Sequence, residues 1–231
     1  MNQRFSLEDS IGAIVARFPG AADIFYTYHI DFCCGGDRPL KTAVNAQNLD
    51  GSEIINVLNN KYQAFLERNA TFTDWAKQTP SLLIEYIINT HHSYLREKLP
   101  QLSAYISKIM KVHGQSHEEL FKVHKLFNHL RTELEAHLVK EEELVFPLIK
   151  KYEREKDPLQ KEQILKVIEE LEKEHTGAGD VIKLLREVTE HYTVPQDTCV
   201  TFERTYQMLQ EFELDLFQHI HLENNILFKR F

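Results

Sequence analysis

Residues 137–146 read His137-Leu-Val-Lys-Glu141-Glu-Glu-Leu-Val-Phe146, and residues 219–228 repeat the pattern as His219-Ile-His-Leu-Glu223-Asn-Asn-Ile-Leu-Phe228. In each stretch a histidine precedes a glutamate by one helical turn, so the two side chains share a face. A further histidine lies upstream of each pair at nearly the same span, His92 before His137 and His175 before His219. The chain thus writes one half-site twice, each with two imidazoles and one carboxylate. Joined, they make a donor set that suits a pair of iron ions.

The chain around these stretches reads as helix. Thr79-Pro80 and Asp157-Pro158 each place a capping residue before a proline, the signature of a helix start. The spacing predicts four long amphipathic helices, over about 80–112, 116–155, 158–191 and from near Pro195 to the end, with His113-Gly114 breaking the first. Short connections between such helices give an up-down-up-down bundle. Residues 1–68 form a separate small helical unit, with helices expected over roughly 7–17, 20–28, 39–47 and 52–68. Phe18-Pro-Gly and Cys33-Cys-Gly-Gly punctuate them. Residues 69–79 read as a linker docked by Trp75. The fold class is all-α: a small N-terminal domain (1–68) and a four-helix bundle (80–231). So small a unit buries little surface, and is expected to lean on the bundle or on a second chain.

Helical phase selects the ligands. Positions 88, 92, 95, 99, 102, 106 and 109 read Ile, His, Leu, Leu, Leu, Ile, Ile, an apolar stripe with one histidine. His91 runs in register with Lys98 and Gln101, which places it near the ligands or in solvent. His175 interrupts the stripe 164, 168, 171, 178, 182 and 185 in the same way. Phe212, Leu216, His219, Glu223 and Ile226 form the stripe of the last helix, with His221 expected to face outward. A single histidine on an apolar face is more often a satisfied core residue than a ligand. Four of them with two carboxylates are different, because burying that set without a cation is very costly. Glu142 and Glu143 read as a solvated run. Glu133 and Glu174 are placed either on an access path or on the surface.

Bulk properties narrow the partners. The 231 residues carry a formal charge of −8 and no basic run, which argues against nucleic acid. No apolar stretch is long enough to span a membrane, and the polar N-terminus lacks a signal-peptide run. Three cysteines make no disulfide framework and fit a reducing cytoplasm. Cys33 and Cys34 are adjacent, so a disulfide between them would be strained and easily reduced. The pair reads either as a thiol relay or as small residues packed in a tight turn. Cys199 is expected to pack as a small hydrophobe.

Mixed imidazole and carboxylate ligands favour iron, manganese or zinc. The expected centre holds two iron ions per chain, bridged by Glu141, Glu223 and a solvent-derived oxo or hydroxo group, with manganese or zinc as substitutes. Ferritin-like bundles use Glu-x-x-His, whereas this chain uses His-x-x-x-Glu. His-x-x-x-Glu followed by an aromatic residue in a four-helix bundle resembles the hemerythrin-like group. Phe25-Tyr-Thr-Tyr-His-Ile-Asp31-Phe-Cys33-Cys34-Gly35-Gly36 resembles the signature of the bacterial repair-of-iron-centres family. That resemblance covers essentially the whole chain. It implies a cytosolic, often dimeric, di-iron stress-response protein that helps restore iron–sulfur clusters damaged by nitric oxide or oxidants. It implies His92, His137, Glu141, His175, His219 and Glu223 as metal ligands, and Cys33 and Cys34 as the paired thiols. Respiratory hemerythrins have a further histidine, so iron here is expected to be more labile. The implied partners are damaged iron–sulfur proteins, nitric oxide or dioxygen as a small ligand, and a second copy in a homodimer. A rival enzymatic reading is the reduction of nitric oxide to nitrous oxide; another is a gas-binding sensor.

Overall fold

The computed structural model describes residues 4–68 and 73–231, so residues 69–72 of the expected linker lie outside the described part. Eight helices and no strand-built sheet make up the described residues. They cluster into two compact units, residues 80–216 and residues 1–79 with 217–231.

In the first unit, α5 joins Pro80–Ile87, a π-turn Ile88–His92 and Ser93–His113. Helix α6 joins Glu119–Lys140, a π-turn Glu141–Val145 and Phe146–Glu155. Helix α7 is Pro158–Val188, capped by the Asp157 carboxylate, which accepts from Leu159 N at 2.9 Å. Helix α8 begins at Val200 rather than near Pro195, and its α-helical part runs to Leu222. The apolar stripes face inward as their spacing requires: Leu95, Leu99, Leu102, Ile106 and Ile109 on α5, and Ile164, Leu171, Ile182 and Leu185 on α7, are all buried. Phe127 and Phe212 meet edge to face at 5.6 Å between α6 and α8. Helix α7 stops at Val188, short of the expected His191, because Glu190, His191 and Tyr192 all adopt left-handed φ (48°, 59° and 60°).

The second unit holds α1 (Ile11–Arg17), α2 (Ala21–Thr27), α3 (Leu40–Ala46) and α4 (Gly51–Glu67). The first starts at Ile11, not Leu7. Asp9 Oδ2 accepts from Ser6 N at 2.7 Å and closes a turn, after which Ser10 caps the helix. Phe5, Ile14, Phe25, Phe32, Leu40 and Ile54 form the core. The end of α8 belongs to this unit: a π-turn Glu223–Leu227 and a last turn Phe228–Arg230. Arg230 donates to the backbone carbonyls of Gln78 (2.6 Å) and Trp75, which ties down the 3-10 turn Trp75–Lys77. The small core thus extends over the final turns of the last helix.

Candidate metal centre

Three of the eight helices carry a π-turn, and each π-turn begins or ends on an expected ligand: His92, Glu141 and Glu223. An inserted π-turn admits one extra residue per turn and often marks a functional site. On α5 it moves the buried face upstream of His92 from Ile88, which is half-buried, to Leu83, Ile84 and Ile87. His91 and His92 therefore both point inward. His91 is buried, with Nδ1 3.0 Å from Asp215 Oδ1.

Within residues 80–216, four expected ligands gather. Glu141 and His92 are fully buried, and His137 and His175 nearly so. Glu141 Oε2 lies 3.3 Å from His92 Nε2, and its Oε1 lies 3.3 Å from His137 Nε2. His175 Nε2 sits 2.9 Å from His137 Nε2. Donor atoms of His137, Glu141 and His175 fall within 4.8 Å of one another. Within the other unit, His219 Nε2 and Glu223 Oε1 are 3.0 Å apart, both residues buried.

The far side of each ring explains the near side. His92 Nδ1 is 2.6 Å from Glu142 Oε1, which also accepts from Arg96 at 2.8 Å. His137 Nδ1 is 2.7 Å from Glu174 Oε2, and Lys140 pairs with the same carboxylate. A carboxylate on Nδ1 holds its proton there and leaves the Nε2 lone pair free for a metal. Burial works against ionisation of Glu142, but the hydrogen bonds from Arg96 and His92 prevail and keep its carboxyl below the usual range. The hydrogen bond with His137 leads in holding Glu174 down, at about 2, assisted by Lys140 against partial burial. Glu142 is thus a correction to the expected solvated run, and Glu174 meets both of its expected placements, lining the cavity while remaining exposed. The His92 ring also stacks on Phe146 at 5.7 Å, the aromatic residue of the motif.

The donor chemistry fits a cation. With Nδ1 protonated, Nε2 of His92 and His137 is an acceptor, and it faces a carboxylate that is also an acceptor. Positive charge between them removes the conflict. Removing an orienting carboxylate commonly costs about 10- to 100-fold in metal affinity, so Glu142→Ala is expected to weaken metal binding on that scale. Competition with a chelator measures it, and unchanged affinity would show that Glu142 does not set the His92 tautomer. A cavity of about 450 Å³ opens onto His137 and His175, lined also by Glu133, Leu134, Lys140 and Glu174.

Two other histidine and cysteine expectations are corrected. His221 is buried rather than outward, packed against Phe32 at 6.2 Å, and burial lowers its pKa to about 4. Phase does turn it away from His219, but within its unit that side is covered by protein. Cys199 is exposed rather than packed, with Sγ 3.2 Å from His113 Nε2. That hydrogen bond, with the backbone N–H of Phe202, brings the thiol down to about 7. The thiolate is the nucleophile, so a lowered pKa moves the rise in reactivity to lower pH. Alkylation of Cys199 by iodoacetamide, followed by peptide mass spectrometry, is expected to reach half its maximal rate near pH 7. His113→Ala should move that midpoint upward; an unmoved midpoint would mean that the imidazole does not activate the thiol.

Cys33 and Cys34 sit in a loop between α2 and α3, not in a helix. Cys33 is buried, Cys34 partly exposed, and their Sγ atoms stand 3.7 Å apart, as thiols rather than as a disulfide. Burial, and then the hydrogen bond with Cys34, push the Cys33 thiol well above its ordinary range.

Residues 83–231 match the family model of the hemerythrin HHE cation binding domain. The chain belongs to that family. Residues 7–62 match a second model, ScdA_N, described as a domain of unknown function (DUF542). The chain is 35% identical over 224 residues to the iron-sulfur cluster repair protein ScdA of Staphylococcus epidermidis, covering 96% of this chain and 97% of the relative. It is 34% identical over 225 residues to a probable iron-sulfur cluster repair protein of Haemophilus influenzae, covering 96% of each. It is 33% identical to the iron-sulfur cluster repair protein YtfE of Yersinia pseudotuberculosis, over 96% of this chain and 95% of the relative. The expected resemblance is therefore borne out along nearly the whole chain, and the His and Glu clusters lie in the cation-binding domain of the family. Among the described residues no helix is long and apolar enough to cross a membrane.

Proposed function

We propose that this protein binds two iron ions per chain and repairs iron–sulfur clusters damaged by nitrosative or oxidative stress. The proposed ligands are His92, His137, Glu141, His175, His219 and Glu223, with both glutamates and a solvent-derived oxo or hydroxo group as bridges. Manganese and zinc fit the same donors. The observation that carries the reading is the fully buried Glu141 carboxylate faced by two imidazole Nε2 atoms whose Nδ1 atoms are held by carboxylates. A buried network without a cation would set acceptor against acceptor. His219 and Glu223 repeat the spacing of His137 and Glu141, each with its glutamate opening a π-turn.

When bound, the ions are the iron supply for the client cluster. The chain's own residues hold and release them. Glu142 and Glu174 keep the imidazoles in the binding tautomer, and the cavity beside Glu133 and Glu174 reaches His137 and His175. Cys33 and Cys34 act as a thiol relay toward the client. The names of the relatives support repair over nitric oxide reduction or gas sensing. A cytoplasmic homodimer belongs to the same reading.

The test is recovery of a nitric-oxide-damaged iron–sulfur enzyme incubated with wild type or with Glu141→Leu. Wild type is expected to restore activity and the variant to fail. Equal recovery would remove the buried centre from the function.

A further inference from the structure

We infer that Asp31, Cys33 and Cys34 form a cation site of their own, built to hold one soft divalent ion such as ferrous iron. The inference rests on the reading of the cysteine pair as functional, and it adds a ligand, a stoichiometry and a geometry. Donor atoms of these three residues all lie within 4.8 Å of one another. The two sulfurs are 3.7 Å apart, far beyond a disulfide bond of about 2.05 Å. Two thiolates on one tetrahedral ion at about 2.3 Å stand about 3.8 Å apart. One thiolate and one carboxylate oxygen, at about 2.3 and 2.0 Å, stand about 3.5 Å apart. Cys33 Sγ and Asp31 Oδ1 are 3.3 Å apart. Two of the three edges thus already stand close to the lengths of a tetrahedral site, and the third, from Asp31 to Cys34, is within 4.8 Å. Thiol hydrogen bonds, between the two sulfurs and from Cys33 to Asp31, hold these spacings in the metal-free protein, and a bound ion would displace those protons.

The loop is held in this shape from several sides. Asp31 Oδ1 accepts from Cys33 N at 3.2 Å and Gly35 N at 3.1 Å, which folds the backbone around the carboxylate. Gly36 O accepts from Gly12 N at 2.8 Å, fastening the loop to α1. Asn225 donates to the carbonyls of Cys33 (2.9 Å) and Phe32 (3.3 Å). A Cβ on Gly12 would stand 2.6 Å from Asn225 Oδ1, and one on Gly36 would collide with the same amide, so both glycines make room for it. A site whose ligands are fixed by such contacts binds with less reorganisation. Cys34 is partly exposed, which leaves a side open to an incoming ion or to a fourth ligand from a client. Asn225 lies two residues beyond Glu223, so the thiol loop is fastened to the π-turn that carries a proposed iron ligand.

Cobalt(II) reports on this site apart from the histidine centre, because only sulfur ligands give thiolate-to-cobalt charge-transfer absorption in the near ultraviolet. The protein is the full chain with Cys199→Ser, titrated with Co(II) without oxygen. Charge-transfer intensity is expected to level off at the value of one thiolate-bound ion per chain, in addition to the cobalt that the histidine centre takes, and Cys33→Ser and Cys34→Ser should each remove about half of it. Asp31→Asn keeps an oxygen to accept the loop N–H groups but removes the charge. It is expected to weaken cobalt binding by about tenfold or more, the scale on which losing a supporting carboxylate is felt. Absence of the band at excess cobalt would overturn the inference, as would an Asp31→Asn variant with wild-type affinity. Cluster recovery is read separately: recovery without a cobalt–thiolate band rejects this site and leaves the repair reading standing, whereas the band without recovery does the reverse.

Discussion

Glu141→Leu is expected to abolish tight metal binding while leaving the metal-free fold as stable as wild type, or more so. The carboxylate is fully buried and is the common neighbour of His92 and His137. Without it, the proposed centre loses one of its two carboxylates, and desolvating an ion among these imidazoles becomes far more costly. In the metal-free protein the balance reverses. There the carboxylate is a buried charge faced by imidazole acceptors, so an apolar side chain of similar size removes a desolvation cost. Iron content per chain should fall from the proposed two to below one. The upward shift of the melting temperature that bound iron gives by mass action should vanish. Full iron retention by this variant would sink the assignment of Glu141 as a bridging ligand.

Arg186→Ala should produce the largest loss of stability. Glu213 is fully buried on α8, paired with Arg186 of α7 and accepting from the Tyr192 hydroxyl at 2.6 Å. Removing the guanidinium strands a carboxylate in the bundle interior, a defect that costs about 3–5 kcal/mol. For a chain of this length that is a fall of about 6–20 °C in melting temperature. The same triad secures the turn after α7, where three consecutive non-glycine residues hold left-handed φ and Tyr192 is buried. Such a turn persists only where its surroundings over-determine it. Chemical denaturation of the metal-free protein measures the effect. The double variant Arg186→Leu with Glu213→Leu should recover much of the loss, since no charge is then left buried. A loss below about 1 kcal/mol, the value of an exposed pair, would show that Glu213 is reached by water.

The core stripes of the bundle were readable residue by residue because the periodicity of a helix converts spacing into a face. That is how His92 was separated from Lys98 and Gln101, and how His175 stood out between Leu171 and Ala178. At His91 the rule leaves two placements, near the ligands or in solvent, and burial beside Asp215 removes the second. A π-turn changes the rotation per residue, and composition offers no sign of where one falls. Glu142 was misread for a different reason. A run of three glutamates resembles a solvated face, and the partner that pulls Glu142 inward, His92, lies on another helix. His221 was rightly turned away from His219, yet the direction it turned to is occupied by Phe32. Cys199 was read as apolar because its partner, His113, is distant in sequence.

Determined by the sequence alone were the helical class, the repeated His-x-x-x-Glu half-site and the apolar stripes that carry it, since all of these depend on neighbours within a turn or two. Only the tertiary structure decided which carboxylates steady the imidazoles, which thiol is exposed, and that the end of the last helix packs into the N-terminal core. Each of these depends on atoms far apart along the chain, where contact is set by packing and burial rather than by the order of residues.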